Sequence, residues 1–237
     1  MIVNVDAKSL EVVCAAFLSQ DPLLIEELTS GADIHGLNQT AFNLPEGKEG
    51  RLIAKILVFR ILYGGTEYSF AQDPNFEAVS TSVKYWKQVI DKFYNKYKRL
   101  AAWHTSIVQE ATKNKKLVMP TGREYSFGPL PNGEWPITQI KNFPVQGFGA
   151  DIMAVIRVAF YKRFVQEKIK GVLVSSVHDS IVCDVEEQEV ERVAALYNEV
   201  FDKAPQLFEQ WFGVPFNLPL RCEVSAGPNM NNLTEIK

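Results

Sequence analysis

Apolar residues recur at helical spacing through most of the chain, and the clearest helix covers residues 51–63. Within it, Arg51, Lys55, Phe59 and Tyr63 recur every four residues, while apolar residues fill most of the remaining surface. Because four residues turn an α-helix by about 400°, these four side chains form a slowly drifting stripe along one side. We expect the stripe to be the less buried face, and Gly64-Gly65 to end the helix.

The rest of the pattern predicts further helices and a few short strands. Residues 171–185 form two apolar runs joined at a polar tip, which predicts a β-hairpin displaying His178 and Asp179. A short strand over 2–5 delivers Asp6 at its end. The other expected elements are helices over 7–18, 22–28, about 76–114, about 147–170 and 186–208, a strand and turn over 117–125, a strand over 218–224, and a tail from 226 to 237.

Composition limits the class of protein. A chain of 237 residues with 46% hydrophobic residues can form one large domain or two small ones. The N-terminal segment lacks the basic region of a signal peptide, and no run of eighteen apolar residues occurs, so we expect a soluble cytoplasmic protein without a membrane partner. Its three cysteines are isolated, which indicates reduced thiols rather than a zinc site or disulfides.

Charge is distributed unevenly. The net charge is −3, but residues 51–124 hold 13 Lys and Arg against 6 Asp and Glu. A basic central block within an acidic chain can bind a phosphate backbone while the remainder binds metal. Solvated helix faces over residues 84–99 explain the same excess, and the sequence leaves both interpretations open.

Two groups of residues carry candidate chemistry. The stripe would suit a nucleoside triphosphate, with Arg51 and Lys55 on the phosphates, although a solvated amphipathic helix has the same pattern. Asp6 and Asp179 end two strands, and if those strands are neighbours the carboxylates could hold a pair of divalent ions. Such a pair lowers the pKa of a 3′-hydroxyl and stabilises a leaving pyrophosphate. A lone Asp before a helix is also a common cap.

These residues lie in ordered motifs. The chain reads Asp6 with Glu11 five residues later, Asp33-Ile-His35, R-x3-K-x3-F-x3-YG from Arg51 to Gly64, Asn142-x-Pro144-x-Gln146-Gly147 with Ala150-Asp151, and Val177-His178-Asp179. With them the sequence resembles the DNA polymerase I-like (family A) DNA polymerases over almost its whole length. The resemblance implies an α+β fold: an antiparallel palm sheet from 2–6, 172–185 and 218–224 with a helical fingers insertion. It implies palm over 1–34 and 141–237, and fingers over 35–140.

The resemblance also implies roles. Asp6 and Asp179 would bind two Mg²⁺ ions, with the Ala7 carbonyl as a further ligand. His35, Arg51 and Lys55 would contact the phosphates, and Lys55 would protonate the pyrophosphate. Phe59 and Tyr63 would line the sugar and base pocket, where Glu11 would exclude a 2′-hydroxyl. The residues implied to contact DNA are Arg123, Asn142, Gln146 and His178. Phe rather than Tyr at position 59 predicts poor use of dideoxynucleotides.

Some features depart from the family pattern. Ser180 stands where the family usually has glutamate, Arg60 where it has glycine, and Thr138 where it has arginine. No thumb, upstream palm or exonuclease domain precedes Asp6, so we expect either a split polymerase of phage type, whose second polypeptide supplies those parts, or an excised fragment. The source would be a bacterial or phage-infected cell.

The predicted function is template-directed DNA synthesis from a primer-template and dNTPs. The enzymatic alternative is a phage-type single-subunit RNA polymerase, which Ser180 favours, whereas Glu11 and Phe59 oppose it. The other alternative is a non-catalytic nucleic-acid-binding subunit, against which the intact Asp6, Lys55 and Asp179 weigh.

Overall fold

A computed structural model describes residues 1–236 as helices combined with antiparallel strands, which confirms the predicted α+β class. The chain divides into two compact units, one of residues 1–10 with 148–237 and one of residues 11–147. The assignment of residues 1–34 and 141–237 to a palm and 35–140 to fingers stays a prediction.

The strands are β1 (Ile2–Ala7), β2 (Lys116–Val118), β3 (Glu124–Ser126), β4 (Gly171–Val177), β5 (Ser180–Val185), β6 (Cys222–Gly227) and β7 (Thr234–Ile236). The helices are α1 (Leu10–Ser19), α2 (Pro22–Thr29), α3 (Ile34–Phe42), α4 (Gly47–Leu62), α5 (Glu67–Ala71), α6 (Val83–Lys96), α7 (Lys98–Asn114), α8 (Ile137–Gln166) and α9 (Val190–Phe212). Single 3-10 turns occupy Pro74–Phe76 and Glu187–Glu189.

The first unit contains a five-stranded sheet in the order β4-β5-β1-β6-β7, with every neighbouring pair antiparallel. The central strand β1 alternates: Val3, Val5 and Ala7 are buried, while Asn4 and Asp6 on the other face are only partly buried. Side chains of successive residues point to opposite faces of a strand, so this alternation gives the sheet one core face and one polar face.

The core of this unit lies between the long helices and the sheet. Tyr197 of α9 stacks on Phe160 of α8 with ring centroids 3.8 Å apart, and its hydroxyl lies 2.8 Å from the Cys183 sulfur of β5. Burial raises the pKa of the Cys183 thiol to about 11, so this cysteine is an unreactive core residue.

In the second unit, helix α4 has the predicted orientation. Its Ile53, Leu57 and Ile61 are buried, whereas Arg51 and Lys55 are exposed. The helix ends at Leu62, and Gly64 follows with φ of +79°, so the predicted stop is confirmed.

The helix predicted over 76–114 is instead two helices that meet at Tyr97. The Tyr97 hydroxyl donates to buried Glu27 at 2.6 Å, and Asp21 accepts the backbone N–H groups of Arg99 and Leu100 at 2.9 and 3.2 Å. The same Asp21 also caps α2, through the N–H groups of Leu23 and Leu24. Contacts distant in sequence therefore break a helix that the periodicity continues.

Three other expectations are corrected. The last strand covers Cys222–Gly227 rather than 218–224, and the supposed tail forms β7, because Val224 pairs with Ile236 and Ala226 with Thr234. Helix α3, over Ile34–Phe42, was not among the expected elements. Among the described residues one helix, α8, is long and apolar enough to cross a membrane, yet 56% of its most apolar stretch is buried, as in the core helix of a globular fold.

Candidate active site

The two candidate carboxylates belong to neighbouring strands of the first unit. Strands β1 and β5 pair antiparallel with Asp6 opposite Ser180, and the Ala7 N–H donates to the Asp179 carbonyl at 3.0 Å. Asp6 and Asp179 thus end adjacent strands side by side, and both are partly buried. The condition on which the sequence interpretation rested, that the two strands are neighbours, is met.

A tight hairpin presents Asp179. Val177 pairs with Ser180, so His178 and Asp179 form the whole connection between β4 and β5. His178 has φ of +53°, a left-handed conformation that is uncommon for a residue other than glycine, and its side chain is exposed. The strained tip projects His178 outward and keeps Asp179 beside β1.

The donor set here fits a hard divalent cation. Within residues 1–236 no cluster of three or more His, Cys, Asp or Glu side chains could hold a metal. Mg²⁺, however, is usually bound by one or two carboxylates together with waters and substrate phosphates, rather than by an all-protein cage. Asp6 and Asp179 supply two carboxylates. Ala7 adds a carbonyl on the same strand edge, because the N–H and C=O of one residue in a strand point to the same side.

In the second unit, a buried histidine lies beside the cations of α4. His35 is 6% exposed, and neither of its ring nitrogens has a hydrogen-bond partner among the described residues. Its ring packs edge-on against Phe59 at 5.6 Å. Burial, together with the charges of Arg51 and Lys55, lowers the pKa of His35 to about 4. A neutral imidazole without a partner, facing two cations, indicates a place for an anionic ligand.

Arg51 has a partner that the sequence did not indicate. Its Nε and Nη2 atoms donate to the two carboxylate oxygens of Asp33 at 2.7 and 2.9 Å. This ion pair lowers the pKa of the Asp33 carboxyl and raises that of Arg51. Asp33 precedes His35 on α3, so one short segment contributes two members of the group.

Three more of the predicted residues meet in this unit. The Tyr63 hydroxyl donates to Glu11 Oε1 at 3.3 Å and interacts with the Gln146 side chain. Burial raises the pKa of Tyr63, as does the Glu11 charge, so the phenol stays protonated and remains a donor. Residues from α1, the end of α4 and α8 are therefore connected through one hydroxyl.

The predicted DNA-contacting residues of this unit lie beside the β2–β3 hairpin. A methyl group added at Gly147 would lie 1.5 Å from the Tyr125 hydroxyl and 3.2 Å from Arg123 Cδ, so Tyr125 packs on the bare backbone of α8. Asn142 on the same helix has a buried Oδ1 without a hydrogen-bond partner among residues 1–236. Sequence reasoning missed Tyr125. Gly147 was the available signal, because a glycine on a helix lets another side chain approach the backbone closely.

Arg60, the residue that departs from the family pattern on α4, has a structural partner. It forms an ion pair with Asp73, and its guanidinium lies 5.2 Å from the centroid of the buried Phe76 ring. Arg60 therefore holds the segment after α5 against helix α4.

The structure groups the predicted site residues into two sets. In the first unit it brings Asp6, Ala7, His178 and Asp179 together. In the second unit one group combines His35, Arg51, Lys55 and Phe59, and another joins Glu11, Tyr63 and Gln146.

Comparison with known proteins gives a consistent result. Residues 1–232 match the model of DNA polymerase family A. The chain is 24% identical over 239 residues to DNA polymerase I of Geobacillus stearothermophilus and 28% identical over 241 residues to the thermostable DNA polymerase I of Thermus thermophilus. Each match covers 96% of this chain and 26% of the relative, so the chain spans about a quarter of their length.

A solved structure with a similar fold is the polymerase domain of Pol1 from M. smegmatis, in a complex with DNA primer-template and dNTP. The TM-score is 0.79 at 22% identity, over 95% of this chain and 39% of that one.

Proposed function

The chain belongs to DNA polymerase family A, and from this premise we propose that it is the catalytic portion of a template-directed DNA polymerase. The reaction is nucleotidyl transfer from a dNTP to the 3′-hydroxyl of a DNA primer. The observation that carries the proposal is the placement of Asp6 on β1 beside Asp179, immediately before the neighbouring strand β5, with the Ala7 N–H donating to the Asp179 carbonyl. The primer-template and dNTP bound to the structural relative support the same substrates here.

Asp6 and Asp179 hold two Mg²⁺ ions with the help of the Ala7 carbonyl. When bound, such a pair lowers the pKa of the attacking hydroxyl and stabilises the leaving pyrophosphate. The oxygen-only donor set supports Mg²⁺ over softer metals. His178, at the exposed tip of the same hairpin, contacts the primer end.

The second unit supplies the groups that neutralise and orient the triphosphate. Arg51 and His35 bind its outer phosphates, and Lys55 lies near the α-phosphate and gives a proton to the departing pyrophosphate. The buried, unpartnered imidazole of His35 supports this role, because a phosphate oxygen would accept from the ring N–H that has no partner. Phe59, which packs against that ring, lines the nucleotide pocket with Tyr63.

Sugar selection rests on Glu11. Its carboxylate accepts from the Tyr63 hydroxyl, which fixes the carboxylate beside the pocket, where it excludes a 2′-hydroxyl. This contact supports DNA rather than RNA synthesis. Arg123, Asn142 and Gln146 contact the primer-template, and the buried Asn142 Oδ1 without a partner is available to a base edge or a water.

The chain spans 26% of the relatives' length. We propose that a thumb, which grips duplex DNA, and any exonuclease are supplied by other polypeptide sequence. A split enzyme of phage type with a second polypeptide is the form that we propose. The bacterial sources of the relatives support action in a bacterial or phage-infected cell.

Primer extension tests this function. A labelled primer on a template of known sequence is incubated with the protein, Mg²⁺ and single nucleotides in turn. We expect incorporation of the complementary dNTP only, and its loss when EDTA removes the metal. Supplying the thumb-bearing polypeptide should increase product length, because phosphate contacts provide most non-specific DNA affinity. Metal-dependent DNA binding with no extension under any of these conditions would favour the non-catalytic subunit instead.

A further inference from the structure

The Asp33–Arg51 pair holds the arginine in one orientation. Arginine carries five N–H donors in a planar fork. Asp33 occupies the Nε side of the fork, through contacts of 2.7 Å from Nε and 2.9 Å from Nη2. The opposite edge, formed by Nη1 and the second Nη2 hydrogen, makes no hydrogen bond or ion pair with any other described residue. That edge can bind a phosphate in the bidentate manner for which guanidinium is suited.

The pair is poorly explained as a source of stability. Both side chains are 50% exposed, and exposed ion pairs contribute little to stability. An unpaired Arg side chain, by contrast, samples many rotamers, and it loses this rotamer entropy when it binds a ligand. A partner that orients the guanidinium beforehand reduces this cost at the moment of binding.

The backbone of α3 is adapted to the carboxylate. Gly36 lies in the first turn of α3, and a methyl group added there would lie 2.7 Å from Asp33 Oδ2. Oδ2 is the oxygen that accepts from Arg51 Nε. The Gly36 N–H also helps to lower the pKa of the Asp33 carboxyl, although no side-chain cap of regular geometry forms. The absence of a side chain at position 36 therefore leaves room for the carboxylate.

Arg51 lies near His35, the buried histidine whose ring nitrogens have no hydrogen-bond partner among the described residues. His35 follows Asp33 by two residues, and the Arg51 charge acts on its ring. We propose that Asp33 is a positioning residue that holds Arg51 with its Nη1 edge directed to the outer phosphates of the nucleotide. The inference rests on the proposed function. In this inference Asp33 does not contact the nucleotide itself. The alternative is that the acidic side chain of Asp33 repels the triphosphate.

Two variants separate positioning from charge and from folding. Asp33→Asn keeps the shape but loses the charge and one acceptor. Gly36→Ala keeps every charge but displaces the carboxylate, and it should preserve or raise stability, because Ala is the better helix former. Asp91→Asn is the matched control, because Asp91 forms a similarly exposed pair, with Lys87 at 3.0 Å, away from the group.

The measurements are the KM and kcat for a dNTP in primer extension, and the inhibition constant of inorganic tripolyphosphate. We expect Asp33→Asn to raise both KM and the inhibition constant by about three- to tenfold with kcat within about twofold, because the lost interaction is made in ground and transition state alike. Gly36→Ala should also raise the KM and the inhibition constant, without lowering the unfolding midpoint. Asp33→Glu should have constants between those of Asp33→Asn and the wild type. Asp91→Asn should match the wild type.

Tighter tripolyphosphate binding by Asp33→Asn would overturn the proposal, since Asp33 would then compete with the ligand. Unchanged constants in both variants would overturn it as well. If the polymerase assignment is wrong, the wild-type protein will not extend a primer. The tripolyphosphate affinities of the wild type and Asp33→Asn would still test whether Asp33 positions Arg51.

Discussion

At the scale of single residues, the proposed role of Glu11 depends on one contact. Glu11 is five residues from Asp6 in sequence, yet its hydrogen-bond partner is Tyr63, at the end of α4. The half-buried Tyr63 hydroxyl limits the freedom of the Glu11 carboxylate to move. Single substitutions at these two positions can therefore test the proposed discrimination against a 2′-hydroxyl.

Glu11→Ala should admit ribonucleotides. We expect the ratio of kcat/KM for CTP to that for dCTP to rise about tenfold or more, because the carboxylate no longer fills the space beside the sugar. Tyr63→Phe, which leaves Glu11 in place but unfixed, should give a smaller rise. Glu26→Ala on the exposed side of α2 is the control and should leave the ratio unchanged. An unaltered ratio in Glu11→Ala would remove Glu11 from sugar selection.

Some of the candidate site residues could be predicted from the sequence and others could not. Asp6, Asp179 and the α4 stripe were visible because strand ends and a four-residue repeat are local features. Tyr125 was not, and Asp33 was visible only as part of the Asp33-Ile-His35 motif, because their contacts with Gly147 and with Arg51 are tertiary.

At the scale of elements, packing decided what periodicity could not. The apolar repeat of α4 predicted its buried face and its end. The same reasoning joined α6 and α7, because their apolar positions continue in phase and only the contacts of Tyr97 and Asp21 separate them. Strand β7 was missed because its three residues are too few for an alternation to be read.

A buried histidine connects three of these helices. His104 on α7 is 2% exposed, its Nδ1 lies 3.0 Å from the Tyr94 hydroxyl of α6, and the Leu62 carbonyl at the end of α4 acts on the ring. Burial lowers the pKa of His104 from its ordinary value of 6.5 to about 3. The helix end that carries Tyr63 is thus packed against a neutral imidazole.

Stability should therefore fall in acid. Between about pH 6.5 and 3 the unfolded chain binds a proton at His104 that the folded chain does not, so the stabilisation is complete above pH 6.5 and declines as the pH falls. Each such histidine contributes a slope of up to about 1.4 kcal/mol per pH unit, and His35, with its pKa of about 4, adds to it.

Urea unfolding at pH 7.5 and 5.0 measures this slope. His104→Gln should be less stable at pH 7.5 but lose less on acidification, whereas His178→Gln, which changes an exposed side chain, should retain the wild-type slope. Equal slopes for wild type and His104→Gln would show that the folded state accommodates the charged imidazole.

At the scale of the whole molecule, each of the two compact units carries its own set of candidate site residues. One has a sheet whose polar face ends in two neighbouring carboxylates, and the other has a helix whose exposed stripe carries cations. Family membership and the fold of the structural relative are consistent with both. The chain spans about a quarter of the length of these relatives.

The proposed activity depends most on Asp6 and Asp179 acting together to bind the metal ions. The most direct measurement is the rate of single-nucleotide primer extension in Mg²⁺ by Asp6→Asn, Asp179→Asn and the double variant. The control is Asp184→Asn, which removes an exposed carboxylate from the same strand as the hairpin. We expect each single variant to lose at least about a thousandfold in rate, the double variant to lose no more than either, and the control to retain wild-type activity. Substantial extension by either single variant would contradict the account.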